Sequence, residues 1–264
     1  MTQTQTSTEL APLDEAHFAA PLCRNCGQAL LSAFCPVCGQ KKAERFKLTT
    51  IASEAWDKVR VFEFSTLQAI WRTLVGPGRV AREFVMGARK KHVHPLKLLL
   101  IAIGVLLLVL AQSRYLDSAN AELSRAMQLI QSYGQWSFSI ALIAILAASN
   151  LMFWRRLGYN FTEHLVLAIY AHFLIILASI GTLLPTLVWR EPAFLAAHKA
   201  YSYWHVDPVE MLIVGIAFQQ FFLLDLKRQW WRLLLALLLF AGIKWLLLQG
   251  FALLVAKLVM AKLA

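Results

Sequence analysis

Apolar residues fall into five long runs in the second part of the chain, and these runs predict membrane-spanning helices. A helix needs about 20 mostly apolar residues to cross the hydrocarbon core of a bilayer. The runs cover residues 96–112, 136–154, 165–189, 209–224 and 233–256, of which the fourth is short and polar. We therefore predict a mainly α protein in which residues 96–264 form a polytopic helical membrane bundle of about five spans.

Shorter amphipathic patterns precede the first apolar run, within residues 43–95. Apolar side chains recur at helical spacing in two sets: Leu48, Ile51, Ala52, Ala55 and Val59, then Leu67, Ile70, Trp71 and Leu74. Ser65 with Gln68 three residues later has the form of a capping box. Gly76-Pro77-Gly78 would end this helix, and a further short helix would end at Gly87. We expect cytosolic or interfacial helices here.

Charge predicts the direction of insertion. The 264 residues are 59% hydrophobic and carry a net charge of +11. With the N-terminus in the cytosol, nineteen Lys and Arg lie on the inner side and six on the outer side. This bias follows the positive-inside rule and predicts a cytosolic N-terminus. Residues 1–22 lack Lys, Arg and any apolar run, so we expect a disordered tail rather than a signal peptide.

A basic cluster stands directly before the first apolar run. Arg89, Lys90 and Lys91 are placed to bind anionic lipid headgroups. A plain positive-inside anchor explains them equally well. Nucleic acid is not an expected partner, because acidic residues interrupt the basic ones throughout residues 44–83.

All four cysteines lie in one short segment, residues 23–42, which predicts a zinc ribbon. The pattern is Cys23-x2-Cys26-x8-Cys35-x2-Cys38, with a glycine after each pair. Two such pairs supply four thiolates to one tetrahedral ion, and four thiolates close the site, so zinc would be structural. Iron in the same cage stays open. A disulfide pair is disfavoured, because a cytosolic segment is kept reduced.

Polar residues inside the apolar runs predict either a helix clamp or a pocket. Lys244 lies in the fifth run, where a charge is costly. Gln219 and Gln220 of the fourth run should lie near its depth, and His172 lies in the third. Such residues commonly join helices by hydrogen bonds, which favours the clamp. The alternative is a pocket for a ligand or proton.

No catalytic constellation is found, and we predict no catalytic residues. The chain lacks GxSxG, HExxH and GxxxxGK[ST] motifs. His198, His205 and Asp207 lie in one polar stretch, but their spacing is no recognised metal-ligand pattern.

The order of motifs resembles a bacterial membrane family that is catalogued as a domain of unknown function. The similar segments are FCPVCGQ at residues 34–40, LVGPGRVAREFVMGARKKHVHP at 74–95 and GYNFTEHLVLAIYAHF at 158–173. The resemblance implies zinc at the four cysteines and a bacterial inner-membrane location. It implies no catalytic residues.

Together these patterns favour an interaction protein that presents a structural zinc ribbon to the cytosol and recruits a protein partner. The alternative is a transporter of small molecules or lipids that uses the polar residues around Lys244. An intramembrane enzyme is the weakest hypothesis, because no nucleophile and base are paired. The sequence does not indicate an oligomeric state.

Overall fold

In a computed structural model of the chain, residues 12–47, 65–113, 139–154 and 156–263 are described, and these ranges are mainly helical. The helices are α1 Glu15–Ala19, α2 Ser65–Val75, α3 Pro77–Val85, α4 Pro95–Ser113, α5 Ile140–Phe153, α6 Phe161–Leu183, α7 Pro185–Val188, α8 Pro192–Phe221 and α9 Leu226–Leu263. The described ranges contain no strand, only two isolated bridges. The helix predicted at Leu48–Val59 lies outside them.

In the described part of the chain, three helices are long and apolar enough to cross a membrane, which indicates a membrane protein. They are α4, the continuous stretch Phe161–Val188 formed by α6 and α7, and the stretch Leu226–Ala261 of α9. They include the first, third and fifth predicted spans.

Within the described residues, neither of the other two predicted spans forms a separate helix that is long and apolar enough to cross a membrane. Helix α5 has only 14 residues, or about 21 Å of length. The predicted fourth span is the end of the 30-residue α8, which begins at Pro192 and carries charged residues before its apolar half. Five spans are therefore not shown. The run of residues 209–224 was predicted as a span of its own from its apolar residues, but it is part of a longer helix that continues through Pro208.

Helix α6 is the centre of the bundle. Val166, Leu167, Ala168, Tyr170 and Ala171 have no exposed surface. The helix packs against α3, α4, α5 and α8. Because its sequence is apolar on every side, only a position surrounded by other helices or lipid suits it.

The turns that follow α5 and α8 meet at one end of the bundle. Arg156 donates hydrogen bonds to the carbonyl oxygens of Phe222 (2.8 Å) and Leu223 (3.2 Å) and to the side chain of Gln229 (2.9 Å). These carbonyls follow the last turn of α8, where they lack intrahelical partners. One guanidinium thus joins the ends of α5 and α8 to the start of α9.

The Gly76-Pro77-Gly78 turn lies at the same end of the bundle. A Cβ atom added to Gly78 would lie 2.1 Å from the carbonyl oxygen of Ala217, so α3 approaches the backbone of α8. Any larger residue at position 78 would push the two helices apart. The glycine that was predicted only to end a helix also sets the packing distance between α3 and α8.

Residues 12–47 are joined to this end of the bundle. The Arg45 guanidinium binds the Glu163 carboxylate, with Nε 3.0 Å from Oε1, and also donates to the Gly158 carbonyl. Asn160 donates to the Phe46 carbonyl (3.1 Å), and the amide of Leu13 donates to the Leu157 carbonyl (2.8 Å). Residues 12–47 therefore contact the helix bundle directly, through one ion pair and several hydrogen bonds.

We expect Arg45→Met to lower the free energy of unfolding by about 2–3 kcal/mol, because the fully buried Glu163 would lose its cation. Thermal unfolding in one detergent measures the effect. Lys47→Met is the control, since Lys47 is exposed. The double variant Arg45→Met/Glu163→Gln should recover most of the loss, and equal midpoints for Arg45→Met and Lys47→Met would contradict the assignment.

Candidate metal centre and its docking interface

The four cysteine sulfurs converge on one point. The Sγ atoms of Cys23, Cys26, Cys35 and Cys38 lie within 4.8 Å of one another. The Cys23–Cys38 and Cys26–Cys35 separations are both 3.6 Å, far longer than the roughly 2.05 Å of a disulfide bond. A tetrahedral zinc ion with Zn–S bonds of 2.3 Å implies about 3.8 Å between sulfurs. The donor set and its spacing therefore fit a closed metal site.

The two cysteine pairs adopt the same local structure. The amide of Gly27 donates to the Cys23 carbonyl and that of Gly39 to the Cys35 carbonyl, both at 2.8 Å. Both glycines have positive φ, 78° and 66°, a conformation that side chains disfavour. The repeated Cys-x2-Cys-Gly-Gln sequence thus makes two matching turns that aim four sulfurs inward.

Backbone amides prepare the second pair to bind a cation. The amides of Cys38 and Val37 point at the Cys35 sulfur and lower its pKa to about 6. The amide of Gln40 lowers the pKa of Cys38 in the same way. Because a metal binds thiolate rather than thiol, these amides favour the ligating form at neutral pH.

This cysteine module, residues 21–42, docks on the loop of residues 86–94 that joins α3 to α4. The Gln40 side chain donates to the Gly87 carbonyl (2.8 Å) and accepts from the Lys90 amide (2.9 Å). The Lys91 amide donates to the Asn25 side chain (3.0 Å). Both cysteine turns therefore contribute to the docking interface.

Gly87 permits the close approach of the two parts. Its φ is 105°, and a Cβ atom there would lie 2.9 Å from the Cβ atoms of both Ala43 and Arg24. The residue that was predicted to end α3 also makes room for the cysteine module.

The basic cluster predicted to bind headgroups is largely used inside the protein. Arg89 is buried, donates to the Glu44 carbonyl and stacks on the Phe46 ring at 3.9 Å. The Lys90 ammonium donates to the Cys38 carbonyl. Lys91 is paired with Glu83 at 2.6 Å and stays about half exposed. Arg89 is thus committed to internal contacts, whereas Lys90 and Lys91 keep exposed side chains while binding partners distant in sequence. Headgroup binding by these residues stays a prediction.

Lys244 has two carboxylate partners from α8. Its Nζ lies 2.6 Å from Glu210 Oε2 and 2.7 Å from Asp207 Oδ1. Gln219 and Gln220 were expected at this depth, but they are not its partners. Gln220 instead accepts a hydrogen bond from the Arg79 amide (3.3 Å), near the Gly76-Pro77-Gly78 turn. The prediction was wrong because the lysine pairs with charges nearer the middle of α8.

Among the side chains that the structure describes, the remaining predicted polar residues do not come together in one site. His172 is buried in α6, and its Nδ1 has no hydrogen-bond partner among the described residues. His198 contacts the Thr182 carbonyl at 2.7 Å, whereas Asp207 binds Lys244. The side chain of His205 lies outside the described part of the structure.

Sequence reasoning missed Arg45, Glu163 and Gln40. A signal existed for Glu163, because Asn160 followed by Glu163 is a capping box, and the structure forms it. Gln28 and Gln40 occupy the same place in the repeated Cys-Gly-Gln sequence, yet Gln40 binds the loop of residues 86–94 and Gln28 is exposed. The repeat itself does not indicate this difference. Arg45 pairs across 118 residues, a distance that no local pattern spans.

Comparison with known proteins gives one family match. Residues 67–107 match the family model described as "Protein of unknown function (DUF3667)". This confirms the resemblance to a family of unknown function over that stretch, which holds most of α2, α3, the loop of residues 86–94 and the first part of α4. The cysteines lie outside it. No curated protein and no solved structure matches the chain.

We expect Gln40→Ala to loosen the docking interface, whereas Gln28→Ala, the matched exposed position, should not. Two hydrogen bonds are lost in the first variant, with a net contribution of about 1–3 kcal/mol. The measurement is hydrogen exchange of the Lys91 amide. This amide donates to Asn25, and neither substitution removes a partner of that hydrogen bond. It should exchange about tenfold faster in Gln40→Ala. Equal exchange rates in the two variants would show that Gln40 does not hold the module.

We expect Lys244→Met to destabilise the bundle by about 2–3 kcal/mol, because Glu210 would be left buried without a cation. Lys244→Met/Glu210→Gln should regain most of this stability. Asp207→Asn is the control and should have little effect, since the Asp207 side chain is 70% exposed. Unfolding midpoints in one detergent measure all three. An unchanged midpoint in Lys244→Met would argue against a clamp.

Proposed function

We propose that this chain is a bacterial inner-membrane protein whose structural zinc ribbon faces the cytosol and binds a soluble protein partner. The observation that carries the proposal is a cysteine module fixed to the membrane helices on one side and rich in exposed apolar side chains elsewhere. Zinc is proposed over iron because the closed four-sulfur geometry suits an ion that stabilises a small fold without redox chemistry.

Three groups of contacts fix the module relative to the bundle: those of Arg45 with Glu163, Gln40 with the loop of residues 86–94, and Lys91 with Asn25. A module held in this way presents the same surface at the same place on the membrane. Four thiolate ligands leave no open metal position for a substrate. Both features support recognition rather than catalysis.

The undocked part of the module exposes large apolar residues. Leu31 is 92% exposed, Val37 71% and Phe34 57%. Such a density of exposed apolar side chains in about twenty residues is typical of a protein interaction site. Lys41 and Lys42 beside them are also exposed, so the partner we propose has an apolar pocket within an acidic surface.

Orientation is proposed from charge and redox chemistry. The excess of Lys and Arg on the N-terminal side of the spans favours a cytosolic N-terminus. Free thiols that bind a metal also require a reducing compartment. The paired carboxylates around Lys244 favour a helix clamp over the transporter hypothesis, since they already satisfy its charge.

A photo-crosslinking amino acid placed at position 31 or 37 of the full chain tests the proposal. We expect one protein to be captured at both positions and much less at position 28, an exposed position on the first cysteine turn. That protein should then bind the purified chain, and Leu31→Ser/Val37→Ser should weaken the binding at least tenfold. Metal analysis should give one zinc per chain, which is lost in Cys35→Ser/Cys38→Ser.

Two outcomes would contradict the proposal. The first is retention of the partner by Cys35→Ser/Cys38→Ser, which would make the metal module irrelevant to binding. The second is crosslinking of positions 31 and 37 to lipid alone, which would identify the apolar surface as a membrane contact.

A further inference from the structure

A second surface, distinct from the exposed apolar part of the cysteine module, lies between α2, α3 and the loop of residues 86–94. It is a groove of about 380 Å³. Its lining includes Trp71, Arg72, Arg79, Glu83, Lys91 and His92. Three cations therefore face one carboxylate. The groove was not foreseen from the basic cluster of residues 89–91, because α2 and α3 supply both arginines.

Internal contacts hold part of this lining in place. Glu83 Oε2 lies 2.6 Å from Lys91 Nζ and 2.9 Å from His92 Nε2. Arg72 Nη1 donates to the Lys91 carbonyl at 3.4 Å. One lysine and one carboxylate thus neutralise each other, and two guanidinium groups supply the remaining positive charge.

The Arg79 side chain is the most available of these cations. Its backbone amide binds Gln220, but its exposed guanidinium has no hydrogen-bond partner among the described residues. Burial lowers the pKa of His92, so the imidazole is neutral at pH 7 and adds no charge. Guanidinium groups bind phosphate oxygens through two parallel hydrogen bonds, a fixed geometry that an ammonium group lacks.

The position of the groove indicates where the phosphate comes from. It opens beside His92, three residues before α4, a candidate membrane span, begins at Pro95. Helix α2 also exposes Trp71 (67%), Val75 (60%) and Leu74 (49%). An exposed tryptophan with apolar neighbours next to the start of a span is typical of the membrane–water interface. A groove at that depth meets lipid headgroups before it meets soluble anions.

We propose that the groove between α2 and α3 binds the phosphate of an anionic phospholipid through Arg72 and Arg79, with Trp71 against the adjoining glycerol and acyl region. This site is independent of the protein partner proposed for the cysteine module. It assigns lipid binding to residues other than the basic cluster directly before α4.

Native mass spectrometry of the full chain released from a non-ionic detergent tests the site. The probes are dioctanoylphosphatidylglycerol, dioctanoylglycerol, which lacks the phosphate, and inorganic phosphate, which lacks the chains. We expect the first to bind and the other two to bind at least tenfold more weakly. Equal binding of dioctanoylglycerol would overturn recognition of phosphate, and equal binding of inorganic phosphate would overturn a lipid source.

Substitutions localise the binding. Arg72→Gln/Arg79→Gln should weaken dioctanoylphosphatidylglycerol binding about tenfold, as expected for lost charge-assisted hydrogen bonds. Arg228→Gln removes the same charge from an exposed position at the start of α9, outside the groove, and should change binding less than twofold. An equal loss of lipid binding in the double variant and in Arg228→Gln would show that the lipid is attracted by the overall positive charge, and would overturn the site.

The single variant Arg79→Gln separates a loss of lipid binding from a loss of folding. The guanidinium that it removes makes no hydrogen bond within the described residues. The variant should keep the native unfolding midpoint and still weaken binding about threefold or more. Unchanged binding in this variant would overturn the role of Arg79.

Discussion

Glu163 is a carboxylate with no exposed surface at the start of the central helix α6. A buried charge of this kind is tolerated only with a well-placed counter-charge and further hydrogen bonds. Arg45 supplies the charge, and the amides of Asn160 and Glu163 complete the helix cap. Because Arg45 lies three residues after the cysteine module, this one ion pair fixes the four-cysteine segment to the most buried helix of the bundle.

The docking interface shows how basic residues next to a membrane span can have an internal role. Positive charge before a span normally suggests topology or lipid contact. Here Arg89 and Lys90 bind carbonyl oxygens of the N-terminal segment. A carbonyl at the end of a turn needs a donor, and these long side chains provide one across the interface. Arg72 on α2 and Arg79 on α3, by contrast, line the groove for which we propose lipid binding.

Glycines show the same contrast between local pattern and tertiary packing. From sequence alone, the Gly76-Pro77-Gly78 turn and Gly87 are predicted to end helices. Their positions in the structure add a second reason for each. Gly78 lets α3 contact the backbone of α8, and Gly87 leaves space for Ala43 and Arg24. Together these close contacts make α3 the link between the cysteine module and the bundle.

The sequence by itself determined the helical class, the membrane character, three of the spans and the four-cysteine cluster, since each depends on periodicity, run length or short spacing. It did not determine the partners of Arg45, Arg89 and Lys244. Nor did it determine whether the fourth apolar run forms a helix of its own or part of a longer one. Those depend on which side chains meet after the helices pack. A buried charge can be recognised locally as costly, but only the tertiary structure decides which distant residue compensates for it.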